Sequence, residues 1–177
     1  MKRAEQLEHA EFVSHTFGPV YDGRSRVLIL GTMPSPKSRE HGFYYGHPQN
    51  RFWPVMAELF GVPRPQTNAE KEALVRAHGI ALWDVLTSCT ITGASDASIR
   101  DPEPNDIGVI LRAAEIRAVY TTGAKAAELY RRYCLPRTGV PAAALPSTSP
   151  ANARMRLADL IGAYRVILDD LEGEESQ

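Results

Sequence analysis

Arg26-Val27-Leu28-Ile29-Leu30-Gly31-Thr32-Met33-Pro34-Ser35-Pro36 decides the fold of this chain. Four consecutive apolar residues stopped by a glycine predict a short strand buried on both faces, the kind found inside a parallel sheet. Pro34 and Pro36 then make the following segment too proline-rich for helix or strand, so the strand is expected to run straight into an irregular loop. That loop is expected to continue, polar and aromatic, to His47-Pro48.

Strands and helices alternate on the C-terminal side of this stretch. Asn50 opens a helix in which Phe52, Trp53, Met56, Leu59 and Phe60 recur at helical spacing before Gly61 stops it. A second helix is predicted over Ala69–His78, capped by Thr67 or Asn68. Ile80–Leu86 reads as another strand, and residues 87–104 as a polar loop. Further elements are a helix over Asn105–Ala114, a strand over Ile116–Thr121, a helix over Gly123–Tyr130 and a strand over Ala142–Leu145. Pro146–Pro150 reads as a turn, and Ala151–Leu171 as the closing helix. This alternation predicts an α/β fold, a three-layer α/β/α sandwich around a short, mainly parallel central sheet. In such sheets ligands bind beyond the carboxyl ends of the strands. The unusual sequence falls there: the loops after 26–30 and 80–86 and the turn after 142–145.

A chain of 177 residues fits one domain, expected over 1–171 with an acidic, frayed tail over 172–177. No apolar run approaches the ~18 residues of a membrane span, and the N-terminus lacks the apolar core of a secretory signal, so a cytoplasmic protein is expected. Cys89 and Cys134 form no CxxC pair, and the five histidines show no compact ligand spacing, so no metal and no cofactor are expected. The formal charge of -1 is unevenly spread. Five acids lie in the last ten residues; outside them 20 basic residues face 16 acidic ones, and 16 of the basic residues are arginine. Arginine suits forked phosphate contacts, although an average body with an acidic tail explains the charge equally well.

The first loop packs aromatics, an amide, a histidine and an arginine into Phe43-Tyr44-Tyr45-Gly46-His47-Pro48-Gln49-Asn50-Arg51-Phe52-Trp53. Aromatics in a loop cost solvation unless they pack or bind something flat. Phe52 and Trp53 also read as core residues of the following helix, and Asn50 as its N-cap.

The strand followed by GTMPS and YYGHPQNRFW, together with Leu145-Pro146-Ser147-Thr148-Ser149-Pro150-Ala151-Asn152, resembles the two motifs of the uracil-DNA glycosylase superfamily. The likeness is greatest to its hypoxanthine-DNA glycosylase branch and spans roughly residues 26–170. It implies a monofunctional DNA glycosylase of base excision repair, acting on double-stranded DNA as a monomer and hydrolysing the N-glycosidic bond of deaminated bases, hypoxanthine first. Two other readings stay open: mismatch-specific removal of uracil, and a non-catalytic module that binds damaged DNA. Mismatch-uracil relatives carry a catalytic Asn where this chain has Met33, which argues against plain uracil specificity.

The resemblance assigns Tyr45 as the wall on which a flipped base stacks, with Tyr44 as second choice and Phe52 beside them. Gly31, Thr32 and Met33 are expected to line the pocket through their backbone. Asn50 is expected to position water, and His47 to donate to the departing purine. Ser149 and Pro150 are read as the start of the closing helix, with Ser147, Thr148, Ser149 and Asn152 on DNA. Arg154 and Lys125 are further phosphate candidates. Asp84 and Asp96 are given turn and cap roles ahead of orienting ones.

Overall fold

A computed structural model of the protein describes residues 9–173. Among them the strands are β1 (Ala10–Ser14), β2 (Val27–Gly31), β3 (Ile80–Asp84), β4 (Leu86–Thr92), β5 (Arg100–Pro104), β6 (Ala118–Thr122) and β7 (Ala142–Leu145). The helices are α1 (Pro36–His41), α2 (Phe52–Phe60), α3 (Asn68–Ala77), α4 (Gly108–Ala113), α5 (Ala124–Leu129), α6 (Leu135–Thr138), α7 (Leu157–Tyr164) and α8 (Val166–Leu171).

β2 lies inside a four-stranded parallel sheet of order β3-β2-β6-β7. All five of its residues are buried, as its unbroken apolar run predicts. Its side chains alternate between two cores. Val27 and Ile29 point to one face with Phe52, Val55 and Met56 of α2, Val75 of α3, and Leu160 and Tyr164 of α7. Leu28 and Leu30 point to the other with Ile110 of α4 and Ala126 and Leu129 of α5. Helices on both faces of a parallel sheet make the expected three-layer α/β/α sandwich.

Three expectations about local structure are corrected. Residues 36–41 form a helix despite the prolines, because Ser35 caps it by accepting from Ser38 N–H and Pro36 occupies the first turn, where its missing N–H costs nothing. Residues 87–104 are largely sheet: β4 pairs antiparallel with β1 and β5 in a separate three-stranded sheet. Thr87, Thr90, Ile91 and Thr92 favour extended backbone, but the segment is half exposed and its polarity hides the strand. The closing helix starts at Leu157 rather than Ala151, and it breaks at Arg165 into α7 and α8. Its cap is Arg156 with Asp159, not Ser149.

The register of β2 against β3 places Gly31 beside Asp84, and β7 against β6 places Leu145 beside Thr122. The carboxyl ends of all four central strands therefore open toward the same side, beneath the loops that follow them.

Candidate functional site

A cavity of about 660 Å³ lies at those strand ends, a volume usual for a small-ligand cleft. Gly31, Thr32 and Met33 line it from the first loop, and Tyr45, His47 and Asn50 from the second. Ser147, Thr148, Ser149 and Asn152 line it from the third. Gly93, Ala94, Ser95 and Asp96 line it from the segment after 80–86, so the three segments expected to converge, after 26–30, 80–86 and 142–145, do so.

Tyr45 forms its wall. The ring stacks on Phe52 with centroids 3.9 Å apart and planes 16° from parallel, and it also lines the cavity. Its hydroxyl shares a 3.2 Å hydrogen bond with Thr122 Oγ1 at the end of β6. The backbone at Tyr45 sits in the left-handed region (φ 53°), uncommon for a bulky residue and a local cost that the packing of the ring must offset. Burial and the nearby Asp84 push its phenol well above the ordinary range, so it stays protonated.

The structure separates the other two aromatic candidates from that role. Tyr44 is only 2% exposed, donates to Gly18 O at 3.0 Å and meets Phe17 and Phe43 edge-on; it is a core residue whose flank reaches the cavity. Phe52 is fully buried behind Tyr45 and does not line the cavity. A stack of two rings exposes only its outer member.

Asn50 both ties down the start of α2 and lines the cavity. Its Oδ1 accepts from Phe52 N–H at 2.9 Å at the start of α2, and from the Thr148 hydroxyl at 2.8 Å. A backbone N–H can only donate, so the carboxamide is oriented with its oxygen inward. Both lone pairs are used, and the Nδ2 amino group is the half left for the cavity. Asn50 is thus a donor there, not an acceptor for a water proton. His47 Nδ1 accepts from Gln49 N–H at 3.0 Å, which leaves Nε2 as the proton-bearing nitrogen of the neutral ring.

Arg51, not singled out by sequence reasoning, ties the two motifs together. Its guanidinium donates to Ser149 O and Asn152 O at 2.9 Å each and to Met155 O, while its N–H donates to Thr148 O at 3.0 Å. These carbonyls are available because residues 149–156 are not helical. The helix N-terminus expected at Ser149-Pro150 is therefore absent, and with it the dipole that was to hold a phosphate. Ser147 and Ser149 instead accept from Ser149 N–H and Ala151 N–H, and Asn152 donates to Ser147 O, holding a local turn. Arg154 is exposed beyond that turn. Lys125 lies outside the cavity and pairs with Glu128 at 3.6 Å.

Sequence reasoning ranked Asp84 as a turn or cap residue; the structure puts it in the cavity wall. It is 4% exposed and meets His15 Nε2 at 2.7 Å through Oδ2. Oδ1 lies 2.5 Å from where a Cβ on Gly31 would sit, so glycine is required there. Burial pushes the carboxyl up from its usual range, and the bond from His15 draws it part of the way back. The parallel strand pairing that makes Asp84 a neighbour of Gly31 is the signal that would have found it. Among the described residues no group of three or more His, Cys, Asp or Glu side chains is placed to hold a metal, and no helix is long and apolar enough to cross a membrane.

The model of the Uracil DNA glycosylase superfamily matches residues 19–171. A protein of Methanosarcina acetivorans named Hypoxanthine DNA glycosylase is 33% identical over 144 residues, covering 80% of this chain and 90% of its own. One of the same name from Methanosarcina barkeri is 34% identical over 141 residues, covering 78% and 87%. A solution NMR structure of a Methanosarcina acetivorans protein, provisionally assigned as a Uracil DNA glycosylase, superposes with a TM-score of 0.74 at 29% identity. That match covers 89% of this chain and 99% of the other.

Proposed function

The chain belongs to the Uracil DNA glycosylase superfamily, and from that premise we propose that it is a monofunctional glycosylase that excises hypoxanthine from deoxyinosine in double-stranded DNA. The observation that carries the reading is the shared cavity of Tyr45 and Asn50, an aromatic wall with a fixed amide donor beside it. Two relatives named Hypoxanthine DNA glycosylase, together with Met33 at the first-motif position, support hypoxanthine over uracil.

An enzyme that cleaves a base from DNA first rotates it out of the stack. The face of Tyr45 turned away from Phe52 receives it; such stacking is worth about 1–3 kcal/mol per base. Backbone groups of Gly31, Thr32 and Met33 line its edge. As the glycosidic bond stretches, the sugar gains positive charge and the base negative charge. His47 Nε2–H and Asn50 Nδ2–H are donors for the base or for the incoming water. Preorganised donors of this kind contribute roughly 3–4 kcal/mol each. Asn50, with both lone pairs occupied, orients water without deprotonating it, which suits a bond that breaks ahead of nucleophile attack.

The loop Ser147–Asn152 rims the cavity and is the part we assign to the DNA groove, with Arg154 supplying a phosphate contact beyond it. We place the enzyme in the cytoplasm as a monomer, since a duplex must reach the open mouth of the cleft.

Alkali cleavage of duplexes carrying one inosine or one uracil tests the reading. Abasic sites at inosine are expected. Release of uracil alone would replace it with the mismatch-uracil activity, and retained binding with neither product would leave a non-catalytic damage-binding module.

A further inference from the structure

Asp84 of the cavity wall and its partner His15 belong to neither motif. Asp84 ends β3, and His15 follows β1, 69 residues earlier; their side chains are each 5% exposed and meet at 2.7 Å. Phe17 lies edge-on to the His15 ring at 5.0 Å, and Tyr44 is tilted against it at 5.8 Å. His15 Nδ1 is buried with no hydrogen-bond partner. The His15 Nε2–H donates to Asp84 Oδ2. With Oδ2 held by His15, a proton on the carboxyl sits on Oδ1, the oxygen beside Gly31 of the cavity wall.

Oδ1 is well placed to meet a base. It lies 2.5 Å, and the Tyr45 hydroxyl 3.5 Å, from the same point above Gly31, so a ring stacked on Tyr45 has Asp84 at its edge. A departing base collects negative charge, and a bare carboxylate in a buried wall would repel it. We propose that Asp84 is a general acid that hands a proton to the leaving base, and that His15 is the positioning residue that aims its carboxyl; the proposal rests on the glycosylase reading. The C1′–N bond breaks with its electron pair passing to the base. The Oδ1 proton passes to an acceptor on the base, the water oxygen bonds to C1′, and the proton that water sheds restores the Asp84 carboxyl.

The other titratable or charged groups that line the cavity with Asp84 are Tyr44, Tyr45 and His47 from the second loop, Arg39 of α1, Cys89 of β4, and Asp96. Burial keeps both phenols protonated. Asn105, a neutral amide, holds the Asp84 main-chain oxygen at 2.9 Å.

Single-turnover release of hypoxanthine across pH tests the pair. The wild-type rate is expected to fall as pH rises through the Asp84 titration. Asp84→Asn keeps the shape and the hydrogen bond; it should lower the rate at least about 100-fold, the low end for losing a general acid, and abolish that limb. His15→Phe removes a bond that favours the carboxylate, so the limb should move to higher pH, and His15→Gln, which keeps a donor, should restore its position. Carbon-13 titration of the Asp84 carboxyl in DNA-free protein reads the same shift without catalysis and without the Phe variant, by comparing wild type with His15→Gln and His15→Leu. An Asp84→Asn enzyme with wild-type rate and profile overturns the proposal while leaving the glycosylase reading intact. His15 variants that slow release equally at every pH, with the Asp84 titration unmoved, overturn the role given to His15. A wild-type protein that releases no base from any duplex overturns the glycosylase reading itself.

Discussion

The Thr148 hydroxyl donates to the Asn50 carboxamide oxygen at 2.8 Å, joining side chains 98 residues apart. The bond fixes which half of the amide faces the cavity and couples that amide to the loop that rims it. Thr148 is 1% exposed, so no water replaces that donor cheaply.

Asn50→Ala is expected to slow hypoxanthine release by at least about 100-fold with duplex affinity near wild type. Thr148→Val should cost less, about 5- to 10-fold, the equivalent of one ordinary hydrogen bond of roughly 1 kcal/mol. Single-turnover kinetics decide both, and a Thr148→Val enzyme at full speed would show that the amide needs no second anchor.

Arg51→Lys keeps the charge but loses the fork that spans the carbonyls of Ser149, Asn152 and Met155. Hydrogen bonds from charged groups contribute about 1.5–3 kcal/mol each. A loss of roughly 3 kcal/mol in urea unfolding is expected, with earlier proteolytic cutting between residues 149 and 156. Equal stability of the two proteins would mean that the loop holds its turn without Arg51.

Gly31→Ala would drive a methyl group into Asp84 Oδ1 and toward the Tyr45 hydroxyl. A stability loss of about 1–3 kcal/mol is expected from overpacking, along with a marked drop in base release. A variant that is both stable and active would show that the floor of the cavity can yield.

Met33→Asn restores the amide that mismatch-uracil relatives carry and is expected to raise uracil release, measured on a uracil-containing duplex beside the inosine one. No gain would show that residue 33 is not what limits uracil chemistry in this pocket.

Arg154→Ala should weaken duplex binding alike on damaged and undamaged DNA and lower the slope of log affinity against log salt by about one. An unaltered slope would return Arg154 to the solvated surface.

Local pattern revealed the central strands because burial on both faces leaves an unbroken apolar run, as at Val27–Leu30. It revealed α2 because Phe52, Met56 and Leu59 repeat at helical spacing. It missed β4 because a strand half in water, in a small outlying sheet, carries threonine and serine as readily as apolar residues. The start of the closing helix was misplaced for a different reason. Ser149-Pro150 has the chemistry of a helix start, but the carbonyls of residues 149, 152 and 155 are drawn to Arg51, a partner almost a hundred residues away.

Chain order and residue type alone determined that a parallel α/β sandwich forms, and that two motif loops and the segment after β3 meet at one end of its sheet. The resemblance of the motifs to a known family placed Tyr45 and Asn50 there. Tertiary structure decided which ring faces the cavity, which half of the Asn50 amide is free, and that Asp84, held by His15, joins its wall. Those outcomes depend on hydrogen bonds and packing between residues tens of positions apart, and a directional bond of that range leaves no periodic trace in the sequence.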